Sequence, residues 1–152
     1  MNSKVIDLLN QARGRELHAI LQYMDEHYEL DDAGYGKLAD RIKEIAIVEM
    51  KHAEQLGERI VFLGGQPIFK PDDEVRKGLD IPAMIKVNIA LEDEAVKLYN
   101  EAANTCAAEN DNVSRELFED LLEAEDGHLD EFQKISDRIE KLGDVYIATL
   151  TD

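Results

Sequence analysis

Residues 42–60 read Ile-Lys-Glu-Ile-Ala-Ile-Val-Glu-Met-Lys-His-Ala-Glu-Gln-Leu-Gly-Glu-Arg-Ile. Ile42, Ile45, Ala46, Ala53, Leu56 and Ile60 recur at three- and four-residue steps, the period of one helix face. Glu49 and His52 fall on that same stripe. Residues three apart on a helix point the same way, so the stripe carries a carboxylate and an imidazole inward together. Polar groups taken into a core are costly unless something binds them. The segment therefore predicts a core helix that presents a polar pair to a partner.

Downstream, Glu125-Asp126-Gly127-His128 repeats the pair inside a second stripe made by Phe118, Leu121, Leu122, Leu129, Phe132 and Ile135. Upstream, Leu8, Leu9, Ala12, Glu16, Ala19, Ile20 and Tyr23 keep helical spacing, and Ile85, Ile89, Glu92, Ala95 and Tyr99 do so in the third quarter. Breaks fall at Asp31-Asp32-Ala33-Gly34, Gly64-Gly65, Asn110-Asp111-Asn112 and Gly143. The reading is all-α, one domain over 1–152. It has four helices over about 3–30, 35–64, 82–109 and 112–142, a crossover over about 65–81 and a short helix or tail over about 143–152. Ser3 is read as the first cap and Pro82 as the opening residue of the third helix. A crossover of that length exceeds a helix-hairpin turn and suits an end-to-end connection between two antiparallel pairs.

The bulk composition agrees. Only 9 Gly and 3 Pro interrupt 152 residues. A net charge of −17, from 34 acidic and 17 basic residues, repels a phosphate backbone and attracts metal cations, so no nucleic-acid partner is expected. Cys106 is the single cysteine, which excludes an internal disulfide framework and thiolate metal knuckles. No apolar run reaches the length of a membrane helix, and the expectation is a soluble chain in a reducing cytoplasm.

Glu16 and Glu92 lie on the inward stripes of the first and third helices, so four glutamates converge with two histidines: Glu16, Glu49, His52, Glu92, Glu125 and His128. Four buried carboxylates must be protonated or neutralised by cations, and two divalent metals would balance them. Carboxylate and imidazole ligands without thiolate suit redox-active iron or manganese, and a pair of iron atoms meeting dioxygen or peroxide would be oxidised from ferrous to ferric. Tyr23, on the face of Glu16, either hydrogen-bonds a ligand or fills the core. His18 and His27 are read as surface or interface residues without a metal.

Across nearly its whole length the chain resembles the bacterioferritin family, whose ferritin-like bundle has the same up-down pairs and long crossover. The segments that carry the likeness are Glu16-Leu17-His18-Ala19-Ile20-Leu21-Gln22-Tyr23, Glu49-Met50-Lys51-His52-Ala53-Glu54 continuing to Glu58-Arg59-Ile60, Ala90-Leu91-Glu92, and Glu125-Asp126-Gly127-His128-Leu129-Asp130. The resemblance implies ferroxidase activity and storage of ferric mineral in a shell of twenty-four subunits. Its di-iron centre would be held by the six residues above, with Glu49 and Glu125 as bridges and Tyr23 as a redox-active tyrosine. It also implies a haem shared between two subunits, with Met50 as axial ligand, and a ferredoxin-type electron donor for iron release.

Met50 lies about 100° around the helix from Glu49, so it faces outward when Glu49 faces in. Ile47 and Ala53 flank it, and Leu17, Leu21, Met24 and Tyr28 form a second apolar stripe on the first helix. A two-fold dimer would cover that stripe and bring two Met50 side chains onto one haem. Departures from the family are Glu44 and Val48, where some members carry an inner-surface His and Asp for a further iron. Leu56 and Glu131 stand where some carry relay aromatics. The alternative function is a non-storage di-iron or di-manganese oxidase or peroxidase of the same superfamily. A rubrerythrin-type enzyme would need more cysteines, and a starved-cell shell would not need the Glu-x-x-His pair twice.

Overall fold

A computed structural model describes residues 2–152. The chain runs α1 (Ser3–Asp32), α2 (Gly36–Phe62), α3 (Ile81–Ala108), α4 (Asn112–Leu142) and α5 (Asp144–Ile147), then a 3-10 turn at Ala148–Leu150. Helices α1 and α2 pack as one hairpin and α3 and α4 as another. The hairpins meet through α1 on α3 and α2 on α4. At 1.5 Å rise per residue the longest helices extend about 45 Å. Among the described residues no helix is long and apolar enough to cross a membrane.

The helix ends follow local chemistry, with two corrections to the expectations. Asn2, not Ser3, caps α1, its side chain accepting from the Val5 amide at 3.2 Å. Helix α3 opens at Ile81, one residue before Pro82, because the Asp80 carboxylate accepts from the Ala83 amide at 2.9 Å. Between α3 and α4 the turn needs a left-handed residue, and Asn110 takes φ 59 there. Asp111 then caps α4 through the Ser114 amide at 3.0 Å.

The crossover lies along α1 for most of that helix. Asn10 donates to the Gln66 carbonyl and accepts from the Ile68 amide, both at 3.0 Å, and the Asp72 amide donates to the Gly14 carbonyl at 3.0 Å. Farther on, the Gln22 side chain accepts from the Arg76 amide at 2.8 Å and donates to its carbonyl at 3.0 Å, and the Gly78 amide donates to Glu29 at 3.0 Å. A Cβ on Gly14 would come within 3.2 Å of Ile68 Cδ1, so glycine there lets the strand approach.

His18 and His27, read as surface or interface residues, are both buried within the chain, His18 under this crossover segment and His27 against α2. His18 Nδ1 sits 3.3 Å from Asp72 of the crossover, and His27 Nδ1 lies 2.7 Å from the Ala39 carbonyl of α2.

The apolar core is divided in two. One cluster joins Tyr23, Leu30, Ile42, Ile45, Ile85, Phe132 and Leu150, and the other joins Leu9, Leu56, Ile60, Tyr99, Phe118 and Leu121. On every long helix the polar residues singled out above lie between these clusters.

Candidate metal centre

Six side chains fill the layer between the two apolar clusters: Glu16 from α1, Glu49 and His52 from α2, Glu92 from α3, and Glu125 and His128 from α4, all buried. Their donor atoms fall into two groups. Glu16, Glu49, His52 and Glu125 form one, and Glu49, Glu92, Glu125 and His128 the other, every donor within 4.8 Å of the rest of its group. Glu49 and Glu125 belong to both. His52 Nδ1 lies 3.1 Å from Glu125 Oε1 and 3.5 Å from Glu16 Oε1, and His128 Nδ1 lies 3.3 Å from Glu49 Oε1 and 3.7 Å from Glu92 Oε1.

One atom of each of these residues is buried without a hydrogen-bond partner: Glu16 Oε2, Glu49 Oε1, His52 Nδ1, Glu92 Oε2, Glu125 Oε1 and His128 Nδ1. Buried polar atoms are almost always satisfied, so six orphans converging at one depth mark a place built for something else. All six are oxygen or imidazole nitrogen donors, the set that suits divalent iron or manganese. The residues fit a pair of metal ions.

Electrostatics point the same way. Burial, reinforced by neighbouring carboxylates, pushes the Glu49 and Glu92 pKa values well above the ordinary carboxylate range and raises that of Glu16. Glu125 moves the other way. Burial pulls its carboxyl up, but close contact with His52, Glu92 and Glu49 outweighs burial and holds it at about 2. His52 loses basicity through burial and regains more from Glu125 and Glu16, reaching about 9. Burial lowers His128, with Glu125 opposing. Without metal, Glu16, Glu49 and Glu92 are drawn toward their protonated forms, while Glu125 stays the most acidic of the four beside His52. Cations would displace those protons.

Two tyrosines close the site. Tyr23 Oη donates to Glu92 Oε1 at 2.6 Å, which favours hydrogen bonding over mere core filling, and Tyr99 Oη donates to Glu16 Oε1 at 2.5 Å. The sequence reading placed Tyr99 on the inward stripe without assigning it to the site. A signal was present: Glu92 follows Glu16, Tyr99 follows Tyr23, Glu125 follows Glu49 and His128 follows His52 by the same 76 positions.

Other buried polar residues of α1 were also missed. Arg15 donates to the Leu91 carbonyl and, at 3.0 Å, to Glu94, bolting α1 to α3 beside the centre. Glu26 accepts from Gln22 at 2.9 Å and from Asn88 at 2.7 Å.

Met50 faces away from the metal layer and is 53% exposed. It shares an open groove of about 640 Å³ with Leu17, Ile20, Ala53, Gly57 and Phe69. Leu21 and Ile47 are exposed and Met24 is half-buried; none of the three lines that groove.

Comparison with known proteins places this geometry among relatives. The ferritin-like domain family matches residues 6–142. The chain is 43% identical to the bacterioferritin of Desulfovibrio desulfuricans, covering 97% of this chain and 83% of that one. It is 38% identical to the bacterioferritin of Rhodobacter capsulatus, covering 98% and 92%. A crystal structure of the Desulfovibrio desulfuricans bacterioferritin, described as showing its diiron site in different catalytic states, superposes with a TM-score of 0.95 at 42% identity, covering 98% of this chain and 87% of that one.

Proposed function

This chain belongs to the bacterioferritin family of ferritin-like domains, and from that premise we propose that it is an iron-storage ferroxidase, taking up ferrous iron and oxidising it to ferric iron. The observation that carries the reading is the set of six unpartnered donor atoms, arranged as two groups that share Glu49 and Glu125. Four carboxylates brought together out of water are balanced by two divalent cations and by little else the chain offers.

In this reading Glu16 and His52 hold one iron, Glu92 and His128 hold the other, and Glu49 and Glu125 stand between them. When bound, each ferrous ion supplies one electron to dioxygen or peroxide. The chain's own part is to exclude water with the two apolar clusters, to release protons from Glu16, Glu49 and Glu92 as cations enter, and to orient the carboxylates. Tyr23 orients Glu92 through its hydroxyl and stands as an oxidisable phenol beside the centre.

The same proposal extends to the outer face. Met50 would hold a haem iron through its thioether, with Leu17 and Ala53 in the wall of its groove and Leu21, Met24 and Ile47 farther along a face that a second subunit would cover. A thioether exposed in a largely apolar groove fits that role, since methionine is one of the side chains that ligate haem iron. Two-fold dimers assemble into a shell of twenty-four subunits in the cytoplasm, and a ferredoxin-type donor reduces the stored iron.

Stopped-flow oxidation of ferrous iron by the full chain tests the proposal. A fast phase is expected in the unaltered protein and its loss in Glu125→Ala, with helical circular dichroism retained. Equal initial rates in the two would contradict it.

A further inference from the structure

Tyr99 is fully buried on α3, on the same face as Glu92, and its hydroxyl reaches across the bundle to Glu16. Its counterpart Tyr23 reaches from α1 to Glu92. Tyr99 stands to Glu92 in sequence as Tyr23 stands to Glu16, and both hydroxyls donate to the Oε1 oxygen of a glutamate in the opposite half of the chain. In both glutamates the other oxygen, Oε2, is buried and unpartnered. Each carboxylate therefore has one oxygen pinned by a phenol, the oxygen that also lies 3.5 Å from His52 in Glu16 and 3.7 Å from His128 in Glu92, and a second that is buried without a partner.

Each tyrosine ring is also packed against an aromatic neighbour, independently of the glutamate its hydroxyl reaches. The Tyr99 ring lies against Phe118 with centroids 5.8 Å apart and planes at 48°, and the Tyr23 ring lies against Phe132 at 5.9 Å and 45°. A phenol whose ring is wedged by a neighbour is a fixed post from which a flexible glutamate can be aimed. Groups that hydrogen-bond a metal ligand from behind orient it and raise affinity, commonly by ten- to a hundredfold.

We infer that Tyr99 is a positioning residue of the metal centre, holding Glu16 as Tyr23 holds Glu92, so that each half of the chain supplies the phenol that aims the outer carboxylate of the other half's metal. The inference rests on the two-metal reading above and names a device that reading does not require. Glu16 groups with His52 and Glu92 with His128, so the effect of each tyrosine is specific to one site. A tyrosine that merely satisfies its hydroxyl on the nearest acceptor would affect folding stability and spare the affinity of either site.

Anaerobic titration of the full chain with cobalt(II), followed by its visible absorption, tests this without turnover. The unaltered chain is expected to take up two cobalt ions per subunit. A chain that takes up none would remove the metal-centre reading itself, and this inference with it. Given two ions, Tyr99→Phe is expected to weaken one of them about tenfold or more and leave the other in place. In a His128→Ala background, which retains the Glu16 and His52 site, Tyr99→Phe weakens the remaining ion. In a His52→Ala background it does not, whereas Tyr23→Phe does. Unchanged affinities in Tyr99→Phe, or equal weakening of both sites, would overturn the assignment. Phenylalanine keeps the wedged ring, and thermal unfolding of the metal-free variants shows whether the fold is retained.

Discussion

Glu92 illustrates what it costs to keep a candidate metal ligand in a core. Burial and the nearby Glu125 raise its pKa well above the ordinary range, so the folded chain keeps a proton there to higher pH than the unfolded chain does. Stability from such a group is complete below the unfolded carboxylate pKa and declines as pH rises toward the folded value. Glu92→Gln removes that loss while leaving an oxygen for Tyr23 to donate to. The metal-free variant is expected to be more stable than the unaltered chain at pH 7, with the difference shrinking toward pH 4. Urea unfolding of both proteins at the two pH values checks this; a variant less stable at pH 7 would count against the charge argument. Metal should stabilise the unaltered chain more than the variant.

On the outer face, Met50→Leu conserves volume and removes the thioether. The expected result is loss of a methionine-ligated haem spectrum with ferrous oxidation intact.

At this scale the six candidate ligands were legible because helical period alone puts them on inward stripes. Tyr99 was in register too, but a tyrosine on an apolar stripe reads as core. Its role depends on an acceptor 83 residues away that local pattern cannot supply.

Among the elements, α1 carries more buried polar chemistry than its stripe suggests, and the crossover is the reason. Gln22 clasps both backbone polar groups of Arg76 while its amide also donates to Glu26. Glu26 is fully buried, and burial, opposed by its bonds from Asn88 and Gln22, lifts its pKa from 4.5 to about 8. Asp25 and Glu29 add repulsion from the same helix. The sign follows as for Glu92: the contribution is present below about 4.5 and is lost as pH climbs through about 8. Glu26→Gln should therefore match the unaltered chain in stability near pH 4 and exceed it near pH 9, as read from denaturant midpoints of the metal-free proteins. A constant difference across that range would contradict the buried-carboxyl account.

The helices and their order were readable from period and breakers. What the sequence pattern concealed was that residues 63–80 lie down along α1, turning His18 and Gln22 from surface groups into buried ones. Tertiary cover of this kind leaves no trace in the periodicity of the covered helix.

For the whole molecule, an offset of 76 residues relates both Glu-x-x-His pairs, both outer glutamates and both tyrosines, half the length of the chain. The polar layer separates two apolar clusters, so the fold is held from both ends, with the candidate metal ligands in its middle. Leu21, Tyr28, Ile47 and Met50 remain exposed on the outer faces of α1 and α2, an apolar area a single subunit leaves wet. A two-fold interface repeats every substitution, so Leu21→Glu places two new charges in it. Size-exclusion chromatography is expected to show a very large particle for the unaltered chain and a much smaller, still helical species for this variant. A particle of unchanged size would place the interface elsewhere. Assembly was suggested in the sequence only by this second stripe and by family resemblance, because contacts between copies obey no local period.

The claim beneath all of this is that a pair of cations compensates the buried carboxylates. Anomalous diffraction at the iron edge, from crystals soaked anaerobically in ferrous salt, addresses it directly. The account predicts two peaks per subunit, one beside His52 and one beside His128, with Glu49 and Glu125 between them. A single peak, or iron bound only on the surface while the six donors stay unligated, would contradict it.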